Sequence, residues 1–321
     1  MYIKSSKSSE SNTLNVKLRE RFGERLKENC SLAPYVRSGV GGVAEYLIEV
    51  KSIDEITSAC QIAHSARRPF AVIGAGTATI ASHVGSLGLV IVNEAAQIHF
   101  AEQNSLVVVE SGATNSSLIT AAASKGLGGL EFLLGIPGSV GGAVATNATY
   151  QGRSLKSFIK SVVCWVVDGS ESRVVTLSYP ETELQLRHAS QSANAVIGPV
   201  ILAVNLQFSR LYPDEIMRRL GAFRQRSAII GAKQSVVGRP FEETLRDYPL
   251  LLRDVERFRR SNLRYDASTD VIRANRLPIQ PSEIRAYIWA IKEMAVEQGV
   301  TLADRLTYLG YWPDEGADES T

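Results

Sequence analysis

Metal-binding and redox-active side chains are scarce in this chain: its 321 residues include three cysteines, four histidines and three methionines. The histidines stand apart and no Cys/His spacing matches a metal centre, so no bound metal is expected. Cys30, Cys60 and Cys164 are odd in number and too few for a disulfide framework, which fits a reducing, cytoplasmic compartment. Long hydrophobic runs are missing as well. No apolar stretch reaches the ~20 residues of a membrane span. Met1–Thr13 is rich in Ser and Lys, lacks the apolar centre of a signal peptide, and reads as a disordered tail. Pro313–Thr321 reads as a second tail, acidic and frayed. Charge of one sign is lacking too: 35 Lys and Arg against 33 Asp and Glu give a formal net charge of +2. No basic run is interleaved with aromatics, so neither nucleic acid nor a membrane is an expected partner. The arginines of 218–226 and 253–264 read as solvated helix faces. The 45% of hydrophobic residues is enough, at this length, for a sizeable core and two or more domains.

Glycine, in contrast, is concentrated in two places. Gly135-Ile136-Pro137-Gly138-Ser139-Val140-Gly141-Gly142 packs four glycines and a proline into eight residues. That composition argues against a packed helix or a central strand and for a rigid loop of exposed amides. Successive N–H groups can hold an anion without any lysine. A second loop, Gly74-Ala75-Gly76-Thr77-Ala78-Thr79, follows the apolar strand Phe70–Ile73, the general form of a phosphate cradle. It is not a Rossmann fingerprint, because Thr79 stands where the third glycine belongs. It is not a Walker loop, because no Gly-Lys-Ser/Thr follows. A dinucleotide needs amides for its pyrophosphate and a floor of small residues for its ring; the first loop suits the one, and Gly135–Ala148 suits both.

The order Leu32-Ala33-Pro34-Tyr35 … Gly41-Gly42-Val43-Ala44-Glu45-Tyr46-Leu47, then Val72-Ile73-Gly74-Ala75-Gly76-Thr77, then Gly129-Leu130-Glu131 … Gly135-Ile136-Pro137-Gly138-Ser139-Val140-Gly141-Gly142-Ala143-Val144-Ala145-Thr146-Asn147-Ala148 resembles the UDP-N-acetylenolpyruvoylglucosamine reductase (UDP-N-acetylmuramate dehydrogenase) family. These are flavoenzymes of peptidoglycan-precursor synthesis within the wider vanillyl-alcohol-oxidase, or PCMH-type, FAD fold. The match is specific over about residues 32–208 and looser over 209–312. It implies FAD as cofactor and NAD(P)H as reductant. It implies pyrophosphate contacts from Gly74, Ala75, Gly76, Thr77 and Ala78. Adenine, ribityl and ring contacts fall to Gly112, Pro137, Gly138, Ser139, Gly141, Gly142, Ala145, Thr146 and Asn147. Ile201 is a further candidate to cover the cofactor, with a plain sheet-core role as its alternative. Oxidase relatives often attach FAD through a histidine beside the first loop. Here Thr77 follows Gly76 and the nearest histidine is His83, so the FAD is expected to be non-covalent.

The substrate side departs from the family. Of the Tyr-Arg-Asp-Ser pattern only Arg187 survives, in Leu186-Arg187-His188-Ala189. Of Gly-Ser-Val-Phe-Lys-Asn-Pro, Ser235, Val236 and Pro240 match, while Gly238 and Arg239 replace the Lys and Asn. Near the C-terminus Arg305, beside Asp304, stands where the family has a glutamate, which reverses the local charge. By resemblance Arg187 and Ser235 are the catalytic candidates, and Arg239 and Arg305 the substrate-binding ones.

The hydrophobic pattern organises the rest. Leu14, Leu18, Phe22 and Leu26 recur every four residues, a helix packed by one face. Strands are expected at Glu45–Val50, Phe70–Ile73, Leu89–Val92, Leu106–Glu110, Val162–Val167, Arg173–Thr176 and Val200–Phe208, with Asp168-Gly169 a hairpin turn. Helices are expected at Ile53–His64, capped by Ser52, and at Ser116–Ser124. Past a boundary near Ser209–Asp214 the pattern turns mainly helical, at Glu215–Arg226, Phe241–Arg260 and Pro281–Gln298, with a last strand in Leu302–Leu309. The expected fold is α+β. An N-terminal tail and helix (1–30) precede a two-lobed PCMH-type FAD-binding domain (31–208), a smaller C-terminal α+β substrate domain (209–312) and the acidic tail (313–321). The expected function is NAD(P)H-dependent, FAD-mediated reduction of a small-molecule substrate, an enolpyruvyl UDP-sugar. Its alternatives are a diverged FAD oxidoreductase with another substrate in a specialised biosynthetic pathway, and a non-catalytic flavin-binding paralogue.

Overall fold

A computed structural model of the chain describes residues 4–101, 105–150, 152–179, 199–230, 235–238, 245, 248–258, 262–266, 271–275, 279–302 and 306–309. Three sheets of three or more strands, three two-stranded pairings and the helices between them make up the described fold. α1 (Lys4–Phe22) leads into β1 (Lys27–Ser31) and β2 (Val43–Val50). α2 (Ile53–Ser65) follows, with the Ser52 side chain accepting from the Glu55 amide as its N-cap. Its apolar residues Ile56, Ala59, Cys60 and Ala63 are buried, at the three- and four-residue spacing of one helix face. Then come β3 (Phe70–Ile73), β4 (Thr79–Ala81) and β5 (Ser86–Asn93). The first sheet has the order β1-β2-β5-β3. β5 runs parallel to both β2 and β3.

The second sheet is antiparallel. β6 (Ile98–Phe100) and β7 (Leu106–Glu110) are followed by α3 (Asn115–Ser124), the short β8 (Leu127–Gly128), α4 (Val140–Ala145), and the ribbon β9 (Thr149–Tyr150) and β10 (Arg153–Ser154). β11 (Ile159–Asp168) and β12 (Glu171–Ser178) form the expected hairpin, and β13 (Val200–Gln207) completes the order β12-β11-β13-β7-β6. Trp165 on β11, 1% exposed, joins the two lobes: it packs edge-on against Phe70 with ring centroids 5.8 Å apart. Its cluster also gathers Leu14, Leu18 and Phe22 of α1, the buried face of α2, and Val200 and Leu202 of β13. Burial of such side chains is the main stabilising term.

β14 (Ser209–Arg210) pairs with β8 and leads into α5 (Pro213–Ile230). Ile216 and Leu220 of α5 sit in the core of the second lobe, so that lobe's packing reaches past residue 208. The remaining elements are β15 (Ser235–Gly238), α6 (Pro249–Arg257), β16 (Leu263–Asp266), β17 (Val271–Ala274), α7 (Pro281–Glu297) and β18 (Thr307–Leu309). β15, β17 and β16 form the third sheet, in that order. β18 returns to the first lobe and runs parallel to β4, Thr307 opposite Thr79.

Four expectations are corrected. The helix α1 begins at Lys4, where a disordered tail was expected; its first turns lack apolar periodicity and give no pattern to read. The 135–142 segment is not all loop: Val140–Ala145 is helical. Ser139 caps that turn by accepting from the Gly142 amide at 3.2 Å, and the amides of Val140 and Gly141 are tied to the carbonyls of Ala113 and Ser111. Past 209 the described helices outweigh the strands, as expected, but they flank a three-stranded sheet that the expected elements left out. Of the helix expected from Phe241, residues 241–244 lie outside the described residues and the described helix starts at Pro249, because Tyr248 is non-helical (φ −124°, ψ 78°) and proline takes the first helical position.

Candidate functional site

β3 ends at Ile73, and the chain turns at once through Gly74–Ala78. Gly76 takes φ +62°, and a Cβ placed on it would lie 1.9 Å from the carbonyl oxygen of Tyr35. The loop therefore packs backbone to backbone against the Ala33–Tyr35 turn, and the Arg37 amide donates to the Gly76 carbonyl at 3.0 Å. Among the described residues, none accepts a backbone hydrogen bond from the amides of Ala75, Gly76 or Thr77. Three successive amides with no side chain larger than threonine fit a pyrophosphate.

The second glycine segment is brought directly onto the first. Thr77 Oγ1 donates to the Pro137 carbonyl at 3.2 Å. A Cβ on Gly74 would come within 2.2 Å of Ser139 Oγ. Gly142 and Ala145 are exposed and Thr146 and Asn147 half-buried, while Gly141 is buried. The open side of α4 is thus lined by small residues, which suits a flat ring. Gly141 faces inward, and its amide donates to Ser111 O at 2.8 Å. Gly112 sits against Asn93 and Ala95. Ile201 is buried in the second lobe's core and meets the site through its carbonyl, which accepts from Ser111 Oγ at 2.6 Å. Asn93 Nδ2 donates to the same Ser111 Oγ at 2.8 Å, so a buried relay pins the ends of both sheets beneath the loops.

Behind the Ala33–Tyr35 turn lies a charged network that the sequence reading missed. Lys27 Nζ donates to Glu49 Oε1 at 2.7 Å and to Tyr35 OH at 2.8 Å; Tyr35 OH donates to Glu49 Oε1 at 2.7 Å. The Lys27 hydrogen bond, followed by that of Tyr35, holds the Glu49 carboxyl below its ordinary range. The Glu49 and Tyr35 bonds in turn hold Lys27 above its own. No local motif announces this network, since its members lie on β1, β2 and the turn. Arg37 was also missed. It is half-buried, and burial first, then the positive charge of Arg273, depress its pKa.

Ser235 opens β15 and is the cross-strand partner of Arg273 on β17. Arg187, Arg239 and Arg305 lie outside the described residues. Arg305 precedes β18 by two positions in sequence, and β18 pairs with the strand that follows the first glycine loop. His83 is exposed, on the turn beside Gly42.

Residues 44–175 match the FAD binding domain family. The chain is 32% identical over 230 residues to UDP-N-acetylenolpyruvoylglucosamine reductase of Rubrobacter xylanophilus, covering 72% of this chain and 75% of that one. It is 34% identical over 193 residues to the protein of that name from Trichlorobacter lovleyi, 60% of this chain and 61% of the other. With the Prochlorococcus marinus protein of that name it shares 32% over 151 residues, 47% and 52% of the two chains. The chain thus spans 52% and 61% of the length of the last two relatives. The crystal structure of UDP-N-acetylenolpyruvylglucosamine reductase from Thermus caldophilus shares the fold, with a TM-score of 0.63 over 89% of this chain and 99% of that one, at 19% identity.

Proposed function

The chain belongs to the UDP-N-acetylenolpyruvoylglucosamine reductase family, and on that premise we propose that it is a non-covalent FAD enzyme that uses NAD(P)H to reduce the enolpyruvyl group of a UDP-sugar. The observation that carries this reading is the Thr77–Pro137 contact at 3.2 Å, which joins an amide-lined anion cradle to a small-residue floor. FAD held there supplies hydride chemistry. The amides of Ala75, Gly76 and Thr77 hold its pyrophosphate, and the exposed side of α4 carries the ring. Glu49, Lys27 and Tyr35 keep the cradle in place.

Arg187 holds the substrate carboxylate through its planar fork and stabilises the enolate charge that develops when hydride adds to the vinyl carbon. Ser235 gives the proton to the adjacent carbon, which balances the reduction. Arg239 and Arg305 hold the nucleotide. The reversed charge at Arg305 and the loss of a cation at Gly238 favour a second reading, a diverged enzyme that uses the same flavin site on another substrate.

The test is anaerobic. NAD(P)H should bleach the flavin, and UDP-N-acetylenolpyruvoylglucosamine should restore its colour within the enzyme's turnover time. Bleaching without recovery sinks the enolpyruvyl reading and favours the diverged enzyme. A flavin that no nicotinamide bleaches sinks both.

A further inference from the structure

Asn115 holds the second glycine segment at two points. It is the first residue of α3, directly after the N-cap Thr114, and is 1% exposed. Its side-chain Nδ2 donates to the carbonyl of Ile136 at 2.8 Å. Its backbone amide donates to the carbonyl of Gly138 at 3.0 Å. Thr77 Oγ1 donates to the carbonyl between them, that of Pro137. Three successive carbonyls are thus held, two of them by one residue. Asn115 stands on a fixed base, since Leu118, Ile119 and Ala122 of α3 are buried in the core of the second lobe.

A trans peptide carries its C=O and N–H on opposite edges of one plane. Fixing Gly138 O against the start of α3 therefore turns the Ser139 N–H away from α3. Among the described residues that N–H meets no acceptor. Gly138 takes φ +139°, and glycine leaves such a peptide free to turn unless its carbonyl is held. The Asn115 side chain adds little to folding by itself. Its Oδ1 is buried without a hydrogen-bond partner, which offsets the bond made by Nδ2. What the side chain supplies is the orientation of the Ile136–Pro137 peptide. We propose that Asn115 is a positioning residue of the flavin site, setting the Ile136–Ser139 backbone so that the Ser139 amide meets the cofactor. The proposal rests on the reading of the two glycine segments as the FAD site and adds the residue that shapes the second of them.

Two measurements on apoprotein test it: the melting temperature, and FAD affinity by fluorescence quenching well below that temperature. Asn115→Leu removes one unpaired acceptor, Oδ1, and strands another, the Ile136 carbonyl, so its apoprotein should melt close to wild type. Its FAD affinity should fall about fivefold. Asn115→Ala, which adds no bulk, should show the same loss. Thr77 holds the adjacent carbonyl, so adding Thr77→Val should weaken FAD by less than the product of the two single losses. Unchanged FAD affinity in the folded variants overturns the proposal. So does a loss that comes with a matching fall in apoprotein melting temperature, or failure of both variants to fold, since Asn115 would then serve the fold alone. A strictly multiplicative double variant overturns it too. In each of these cases FAD binding by the wild type leaves the flavin site itself standing, whereas wild-type protein that takes up no FAD overturns both.

Discussion

Thr77 Oγ1 donates to the carbonyl of Pro137 at 3.2 Å across sixty residues of chain, and this bond closes the two glycine segments into one site. Thr77→Val keeps the shape and removes the donor. A neutral hydrogen bond of this kind is worth about 1 kcal/mol, so FAD affinity should fall about fivefold. Flavin fluorescence quenching during titration of apoprotein measures it. Unchanged affinity would show that the segments are held by packing alone.

Gly76 cannot be replaced without moving backbone. Gly76→Val adds a branched side chain at φ +62°, aimed at a carbonyl oxygen 1.9 Å from its Cβ. The variant should purify without flavin, with its melting temperature lowered only as far as loss of the ligand and local strain require. A folded Gly76→Val protein with wild-type FAD content would leave the loop as an ordinary turn.

Glu49 gives the site a pH dependence with a definite sign. Its folded pKa lies below its unfolded one, chiefly through the Lys27 hydrogen bond. Its contribution is therefore present above the ordinary carboxylate pKa of about 4.3 and lost as pH falls through the folded value. Glu49→Gln should melt at a lower temperature than wild type at neutral pH, and the gap should close as pH falls through the folded value. The pair is partly exposed, so the gap is small. A gap that stays constant with pH would remove the carboxylate from the account.

The cysteines divide by burial. Cys60 and Cys164 are 0% exposed; burial pushes the Cys60 thiol up, and that of Cys164 up to about 12. The thiolate is the reactive form. A thiol reagent should label Cys30 first in the native protein and all three cysteines only after unfolding. Early labelling of Cys60, read by peptide mapping, would contradict the packing of α2.

Much of the cofactor half was legible because its signals are local. Phe70–Ile73 and Leu106–Glu110 are apolar runs bounded by turn residues, and the structure has the same limits. Ser52 announced the start of α2 through its own capping bond. What could not be read depends on contacts distant in sequence. α4 is helical despite its glycines because Ser111 and Ala113 accept its first amides. β16 and β17 are four residues each and mix charge with apolar residues, so no alternation stands out. Arg273 looks like a surface arginine in sequence, yet in the sheet it is 6% exposed and paired with Asp266. The Lys27–Tyr35–Glu49 network gathers residues that no motif links. Tyr35 alone had a nearby signal, since it closes the Leu32–Tyr35 stretch that carries the family resemblance; Arg37 lies just outside it.

The flavin content of the purified protein tests the central claim most directly. One FAD per chain should copurify or be taken up by apoprotein, and acid precipitation should release it to the supernatant intact. Colour that stays with the pellet would contradict non-covalent binding, and a colourless protein that takes up no FAD would contradict the account of both glycine segments.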